Sequence, residues 1–151
     1  MTTESVTIPD EALALLDRPV TTVICTVNPN GSPQASVVWY ERRGQQIVMF
    51  ALDDSIKVRN LRRDPRVELI MIDHERERDP GVPVYIRLIG TAEILPGEPD
   101  IADRLAVRYG NPDGYPHQLS SPYVNIHITP TVFGGMGPYR GGGMSEWVPK
   151  S

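Results

Sequence analysis

The chain has 151 residues, of which 40% are hydrophobic and 23% are charged, as in an ordinary globular domain. Its net charge of −4 and isoelectric point of about 5.3 argue against a nucleic-acid-binding protein, which needs an extended basic surface. The aromatic content of only 7% also argues against a small barrel that stacks the bases of single-stranded nucleic acid.

The sequence carries no signal for export or for membrane insertion. Its single cysteine, Cys25, cannot form a disulfide within the chain, which favours a reducing compartment. No apolar run approaches the ~18 residues of a membrane span, and polar residues follow Met1 where a signal peptide would need an apolar core. We therefore expect a cytoplasmic protein that does not bind membranes.

The first third of the chain predicts one short helix followed by three strands. Residues 7–16 favour a helix, because Leu13 and Leu16 share one face. Turn signals at residues 28–31 and 43–45 separate the strands that follow, and such tight turns predict an antiparallel meander. These strands, rich in β-branched residues, are predicted at residues 20–27, 34–41 and 46–52.

The rest of the chain alternates helices and strands. Helices are predicted at residues 53–63, which Asp64-Pro65 ends, and at residues 99–109, which Gly110 ends. Between and after them, strands are predicted at residues 66–73, 82–95 and 123–133, with a charged loop at 74–80 and a Pro- and Gly-rich loop at 111–122.

Six strands with two or three short helices predict a mainly β (α+β) fold in one domain, residues 1–151. The expected architecture is a closed or nearly closed antiparallel β-barrel with helices at its ends. Residues 134–151 form a Gly-rich tail that also contains Tyr139, Arg140, Met144 and Trp147. We expect these side chains to anchor the tail across a subunit interface, where it would help close a substrate pocket. The alternative is a flexible extension that takes no part in the site.

The segment with the clearest chemical signal begins the helix predicted at residues 53–63. A helix that starts directly after a strand offers unpaired N–H groups and a partial positive charge, which bind anions. Ser55 adds a hydroxyl group and Lys57 a full charge, which is unfavourable for the helix itself unless an anion is bound. The same pattern also fits a plain solvated basic face, so the spacing leaves both interpretations open.

Other kinds of site have little support. His74, His117 and His127 lie in different segments without a metal-ligand spacing, so no metal site is expected. The motifs of nicotinamide, nucleoside-triphosphate and serine-hydrolase sites are absent from the sequence. No residue stands out as a general acid or base, which suits an enzyme whose cofactor supplies the chemistry.

Several motifs in order resemble the pyridoxamine-phosphate-oxidase-like superfamily of flavin and deazaflavin proteins. They are NGSPQ at residues 30–34, a strand with IVMF at 47–50, and SxKxxxLxxDP at 55–65, followed by a strand from Val67. The run KxRNLRRDPR at 57–66 is most similar to the branch of reductases that use the deazaflavin coenzyme F420. The detailed resemblance covers about a third of the chain, and the order of strands extends it to nearly all.

This resemblance implies a split β-barrel homodimer with two cofactors at the subunit interface. The cofactor phosphate would bind Ser55 and Lys57, and the tricyclic ring would lie against residues 36–39 and 49–51. The implied cofactor-binding residues are Gln34, Ser36, Val37, Val38, Trp39, Met49, Phe50, Ala51, Ser55, Lys57, Arg59 and Asn60.

Two departures from the family pattern favour coenzyme F420 over FMN. The FMN-dependent oxidases carry arginines at the positions of Ile56 and Ser36. FMN ends in a phosphate monoester with nearly two charges, which benefits from several cations. The deazaflavin carries a singly charged diester and a polyglutamate tail, so Lys57 alone could hold the phosphate, while Arg59, Arg62 or Arg63 could meet the carboxylates.

The resemblance thus predicts an oxidoreductase that uses reduced coenzyme F420 to transfer hydride to a small unsaturated organic acceptor. Two alternatives stay open: an FMN-dependent oxidase or reductase, and a carrier protein that binds coenzyme F420 without catalysis. The sequence does not identify the acceptor.

Overall fold

The computed structural model describes residues 5–75, 83–119 and 121–137. Seven strands form one antiparallel sheet in the order β2-β1-β5-β6-β7-β4-β3. Short helices pack against this sheet. The elements are, in chain order, α1 Asp10–Leu16, β1 Thr21–Val27, β2 Pro33–Val38, β3 Glu41–Arg43, β4 Gln46–Leu52, α2 Ile56–Arg63, β5 Arg66–Ile72, β6 Tyr85–Pro96, α3 Ile101–Arg108 and β7 Tyr123–Met136.

The sheet curls around a single main core. Alternate residues of β1, β4, β5, β6 and β7 are buried in one cluster, which a flat sheet could not assemble from strands so far apart in its order. Examples are Ile24, Met49, Leu69, Leu88 and Ile126. The structure therefore confirms the predicted fold class, a mainly β barrel-like sheet with short helices, although the sheet has seven strands instead of six.

The additional strand arises at Trp39 and Tyr40, where the strand predicted at residues 34–41 is divided. The first part, β2, pairs with β1, whereas β3 pairs with β4, so β2 and β3 lie at opposite edges of the sheet order. The predicted three-strand meander is therefore wrong. The physical reason is Tyr40, which is fully buried and donates its hydroxyl hydrogen to the carbonyl of Leu16 or Arg18, at 3.0 and 3.1 Å.

Two glycines allow the long strands β6 and β7 to pair closely. A Cβ atom at Gly90 would lie 2.3 Å from the carbonyl oxygen of Thr129, next to a register shift in the β6–β7 pair. A Cβ atom at Gly135 would lie 2.1 Å from the carbonyl oxygen of Tyr85, and Gly135 has a φ of +143°. The last strand can therefore continue to Met136, beyond the end predicted at residue 133.

Some sequence predictions fall outside the described residues. These include Tyr139, Arg140, Met144 and Trp147 of the tail and most of the charged loop at 74–80. The helices begin later than predicted: α1 starts at Asp10 with Pro9 as its N-cap, and α2 starts at Ile56 with Ser55 as its N-cap. None of the helices within the described ranges is long and apolar enough to cross a membrane.

Arg108 of α3 ties the helices to the strand junction at Tyr40. Its guanidinium donates hydrogen bonds of 2.8–3.0 Å to the carbonyl oxygens of Leu16, Asp17, Arg18 and Tyr40. The same group lies 5.2 Å from the centre of the Tyr40 ring, within the range of a cation–π contact. One cation therefore bonds to several carbonyl groups at the end of α1, where helix geometry leaves carbonyls without partners inside the helix.

We expect Arg108→Met to lower the free energy of unfolding by about 2–3 kcal/mol, because several half-buried carbonyls lose a charged donor. Urea denaturation of the purified variant measures this change. Arg66→Met is the control, since Arg66 is 74% exposed and its ion pair with Asp64 should contribute less than about 1 kcal/mol. Equal stability of the two variants would contradict this role of Arg108.

Candidate functional site

A cavity of about 510 Å³ lies where the ends of β2 and β4 meet the start of α2. Its volume is within the range of ligand pockets, about 300–1,000 Å³. It is lined by Val37, Val38, Trp39, Phe50, Ala51, Leu52, Ser55, Lys57, Asn111, Tyr115, Pro116, His117 and Leu119. The lining is mainly apolar and aromatic, with one side chain that carries a full positive charge.

That charge belongs to Lys57, in the first turn of α2. The helix begins at the Ser55 N-cap, whose hydroxyl oxygen accepts a hydrogen bond from the backbone N–H of Val58 at 3.4 Å. Lys57 is half-buried, and burial lowers the pKa of its ammonium group. No carboxylate of the described residues forms an ion pair with it, so the cavity presents an uncompensated cation beside a helix N-terminus.

The neighbouring arginines on α2 are less available than the sequence suggests. Arg62 bonds to the carboxylate of Asp53, and Arg63 bonds to the carbonyl of Val27. Arg59 is exposed, and its guanidinium has no partner in the part of the chain described by the structure. Among the three arginines proposed for the cofactor carboxylates, Arg59 alone is therefore unoccupied.

Several predicted site residues do not line the cavity. Asn60 is buried and donates hydrogen bonds of 3.0 Å to Thr26 and Asn28, which fasten α2 to β1. The side-chain oxygen of Gln34 accepts a hydrogen bond from the hydroxyl group of Thr26 at 3.3 Å. Met49 is fully buried in the main core, because successive residues of β4 point to opposite faces.

Ser36 lies two residues before Val38 on the same face of β2. Its hydroxyl oxygen is buried and has no hydrogen-bond partner among the described residues. An unpaired buried hydroxyl costs about 1–3 kcal/mol, so a ligand or water that bonds to it would be stabilised. It is the kind of polar group that a bound molecule next to the cavity could satisfy.

Aromatic side chains form one wall of the cavity. Trp39 stacks on Tyr109, with ring centres 5.5 Å apart and planes at 16°. The ring of Tyr115 lies edge-on to Trp39 and to Phe50, at 6.1 and 5.6 Å. We call Trp39, Phe50 and Tyr115 the aromatic wall. Because neighbouring rings hold it in place, this wall is a preformed surface for a flat ligand.

The loop that follows α3 also lines the cavity, which the sequence did not predict. This loop supplies Asn111, Tyr115, Pro116, His117 and Leu119, and Leu52 of β4 was also missed. Its Pro- and Gly-rich composition shows no periodicity, so only its aromatic residues and histidine could have indicated a site.

The loop is anchored at both ends. At its start, the N–H of Asn111 donates to the carbonyl of Ala106 at 2.9 Å. Further along, Asp103 of α3 accepts a hydrogen bond from the backbone N–H of Tyr115 at 2.9 Å. At its end, the N–H of Asp53 donates to the carbonyl of Pro122 at 2.8 Å. The described residues of this loop are therefore fixed to α3 and to the residues just before α2, and they include Tyr115 and His117 in the cavity lining.

The other histidines lie elsewhere. His74 is within 3.2 Å of the hydroxyl of Thr21, and His127 is on β7, where burial lowers the pKa of its imidazole. Within the described ranges no three His, Cys, Asp or Glu side chains are placed to hold a metal ion.

The chain belongs to the pyridoxamine 5'-phosphate oxidase family, whose model matches residues 8–135. No curated protein is significantly similar to it in sequence. The family membership confirms the superfamily resemblance found in the sequence motifs.

Solved structures share the fold. An F420 reductase is 29% identical, with a TM-score of 0.67 over 83% of this chain and 98% of the reductase. A conserved hypothetical protein from Mycobacterium tuberculosis is 22% identical, with a TM-score of 0.67 over 89% and 88% of the two chains. HutZ, the heme storage protein from Vibrio cholerae, is 16% identical, with a TM-score of 0.61 over 83% and 91%. Since these proteins differ in what they bind, the fold alone does not fix the cofactor.

We expect Lys57→Met to stabilise the ligand-free protein by up to about 1 kcal/mol, because it removes an unpaired, half-buried charge. The pKa of Lys57 is lower in the folded than in the unfolded chain, so between that lowered value and its ordinary value of 10.5 the unfolded state binds more protons. As the pH rises through this window, the free energy of unfolding of the wild type therefore increases relative to that of the variant.

Urea denaturation at neutral and alkaline pH measures both effects. Arg59→Met is the matched control on the same helix: its side chain is exposed, and we expect a change within about 0.5 kcal/mol. A Lys57→Met protein less stable than wild type at neutral pH would show that Lys57 has a structural partner.

Proposed function

We propose that this protein is a reductase that uses coenzyme F420 to reduce a small unsaturated organic acceptor. The observation that carries the proposal is Lys57, an unpaired cation in the wall of a cavity that also has an aromatic wall. The 29% identity with an F420 reductase over most of both chains supports the same conclusion.

The residues of the cavity fit such a cofactor. The phosphodiester would bind Lys57 and the N–H groups of the first turn of α2, where Ser55 adds its hydroxyl group. The ring would lie against the aromatic wall. We assign the polyglutamate carboxylates to Arg59, which lies two residues after Lys57 on α2. Its side chain is exposed and has no partner among the described residues.

The charge of the site favours coenzyme F420 over FMN. Among the described residues, Lys57 is the one lining side chain with a full positive charge. Arg62 and Arg63 are occupied by other groups, and Ile56 and Ser36 carry no charge. One cation matches one negative charge on a phosphodiester, whereas the phosphate monoester of FMN would leave nearly one charge uncompensated.

When bound in its reduced form, coenzyme F420 supplies a hydride. In the chain itself, Lys57 would hold the phosphate, and Trp39 and Phe50 would position the ring in the mainly apolar lining. A cytoplasmic location is part of this proposal, since Cys25 is a free thiol.

We expect coenzyme F420 to bind at least about tenfold more tightly than FMN, since FMN lacks a second charged partner. Lys57→Ala should weaken F420 binding by about 1.5–3 kcal/mol, or about 10- to 150-fold, through loss of a charge-assisted hydrogen bond. Fluorescence titration measures both quantities.

Arg62→Ala is the control for this titration, because Arg62 already pairs with Asp53, and its affinity should stay within about twofold of wild type. Tighter binding of FMN would favour the flavin-dependent alternative. Tight F420 binding without reduction of any acceptor in a panel of enones and quinones would favour the carrier alternative.

We also propose that the protein acts as a homodimer. Val37 of β2 is 69% exposed although it lines the cavity, so the cavity is open on the side where Val37 lies. Neighbouring outward positions on β1 and β5 are apolar as well, namely Val23, Cys25, Ile70 and Ile72. A second copy that packs on this face would cover these residues and complete the cavity.

We expect light scattering at micromolar concentration to give the mass of a dimer. Val37→Glu should shift the protein toward the monomer and weaken cofactor binding, because it buries a charge in the interface. Val107→Glu is the control, since Val107 is also exposed, at 53%, but lies on α3 away from that face. A monomeric wild type with cofactor bound would contradict the proposal.

A further inference from the structure

Transfer of a hydride to a double bond leaves the acceptor in need of a proton, and the cavity lining limits which residue can supply it. Among the described residues that line it, those with an acidic N–H or O–H group are Lys57, Tyr115 and His117, together with Ser55. Lys57 and Ser55 lie at the start of α2, where the proposed function places the phosphate. Tyr115 and His117 remain, and both lie on the loop that follows α3.

The loop presents these two residues in different ways. The backbone of Tyr115 is held by Asp103, and its ring is packed against Trp39 and Phe50, so Tyr115 is a fixed part of the aromatic wall. His117 lies two residues further on, exposed, and its ring meets that of Tyr115 edge-on at 6.1 Å. The imidazole is therefore positioned by a rigid neighbour while its nitrogens stay free to meet a ligand.

We propose that His117 is the proton donor of this site and that Tyr115 is the residue that positions it. This inference rests on the proposed function. The acceptor it implies is a double bond conjugated to a carbonyl group, as in an enone, which accepts a hydride at its β carbon while its π electrons move to the carbonyl oxygen. The imidazolium N–H of His117 gives its proton to that atom, and the neutral imidazole then takes a proton from water.

The chemistry and the surroundings of His117 agree with this role. Histidine is the side chain most often used as a general acid. Among the described residues, the titratable groups of the same cavity are Tyr115 and Lys57, and Asp103 on α3 holds the backbone of Tyr115. Within the described residues no carboxylate forms an ion pair with His117, so its ring is not committed to a structural salt bridge.

The test compares His117→Gln with wild type in three measurements. Coenzyme F420 affinity, measured by fluorescence titration, should be unchanged within about twofold. Turnover of cyclohex-2-enone by the reduced cofactor should fall at least about 100-fold, the usual loss for a general acid. The wild-type rate should fall as the pH rises and the imidazolium is lost, and this limb of the pH profile should disappear in the variant.

Two further experiments separate a proton donor from a structural residue. Added imidazole should restore part of the turnover of His117→Gly. In protein loaded with oxidised cofactor, phenol, whose oxygen mimics the acceptor, should shift the His117 imidazole signal in ¹H–¹⁵N spectra but not that of His74, which contacts Thr21 outside the cavity. His74→Gln should leave turnover unchanged.

Wild-type turnover and an unaltered pH profile in His117→Gln, with F420 affinity intact, would overturn the role of His117 and leave the proposed function standing. A phenol titration that does not move the His117 signal would overturn it as well. Failure of wild-type protein to bind either coenzyme F420 or FMN would instead overturn the proposed function, and this inference with it.

Discussion

The junction between β2 and β3 determines both the barrel and the cavity. Tyr40 is buried at this junction, where its hydroxyl group bonds to the end of α1 and its ring lies under the Arg108 guanidinium. The chain therefore passes from β2, at one edge of the sheet, to β3, at the other edge. The sheet curls around one core. Trp39, the residue before it, is turned outward onto Tyr109 and becomes part of the aromatic wall.

The start of α2 carries Lys57, a charged side chain to which an anionic ligand could bind. Within the ranges that the structure describes, Lys57 has no carboxylate partner in its mainly apolar lining. Most of the arginines do pair with carboxylates, namely Arg18, Arg42, Arg43, Arg62, Arg66, Arg87 and Arg104. An uncompensated, half-buried cation lowers the stability of the ligand-free protein and raises its affinity for an anion. This trade between stability and binding is expected of a site that is built for a phosphate.

The sequence predictions were accurate where residues close together in sequence determine the structure, and they failed where distant residues determine it. The strand at residues 46–52 was predicted with its observed bounds, since alternation and turn residues are local signals. The division at Trp39 was not predictable in this way, because Tyr40 is held by α1 and α3, which are distant in sequence. Ser55 and Lys57, which line the cavity, were predicted as site residues from a local motif, whereas Tyr115 and His117 reach the cavity only through the tertiary position of their loop.

The central claim is that the cavity holds coenzyme F420 by its phosphate at the start of α2. The most direct measurement is a crystal structure of the protein with the oxidised cofactor. In that crystal structure we expect the phosphodiester within hydrogen-bond distance of Lys57 Nζ and the Ser55 hydroxyl group, with the tricyclic ring against Trp39 and Phe50. A cofactor bound elsewhere on the molecule, or a phosphate that does not contact Lys57, would contradict it.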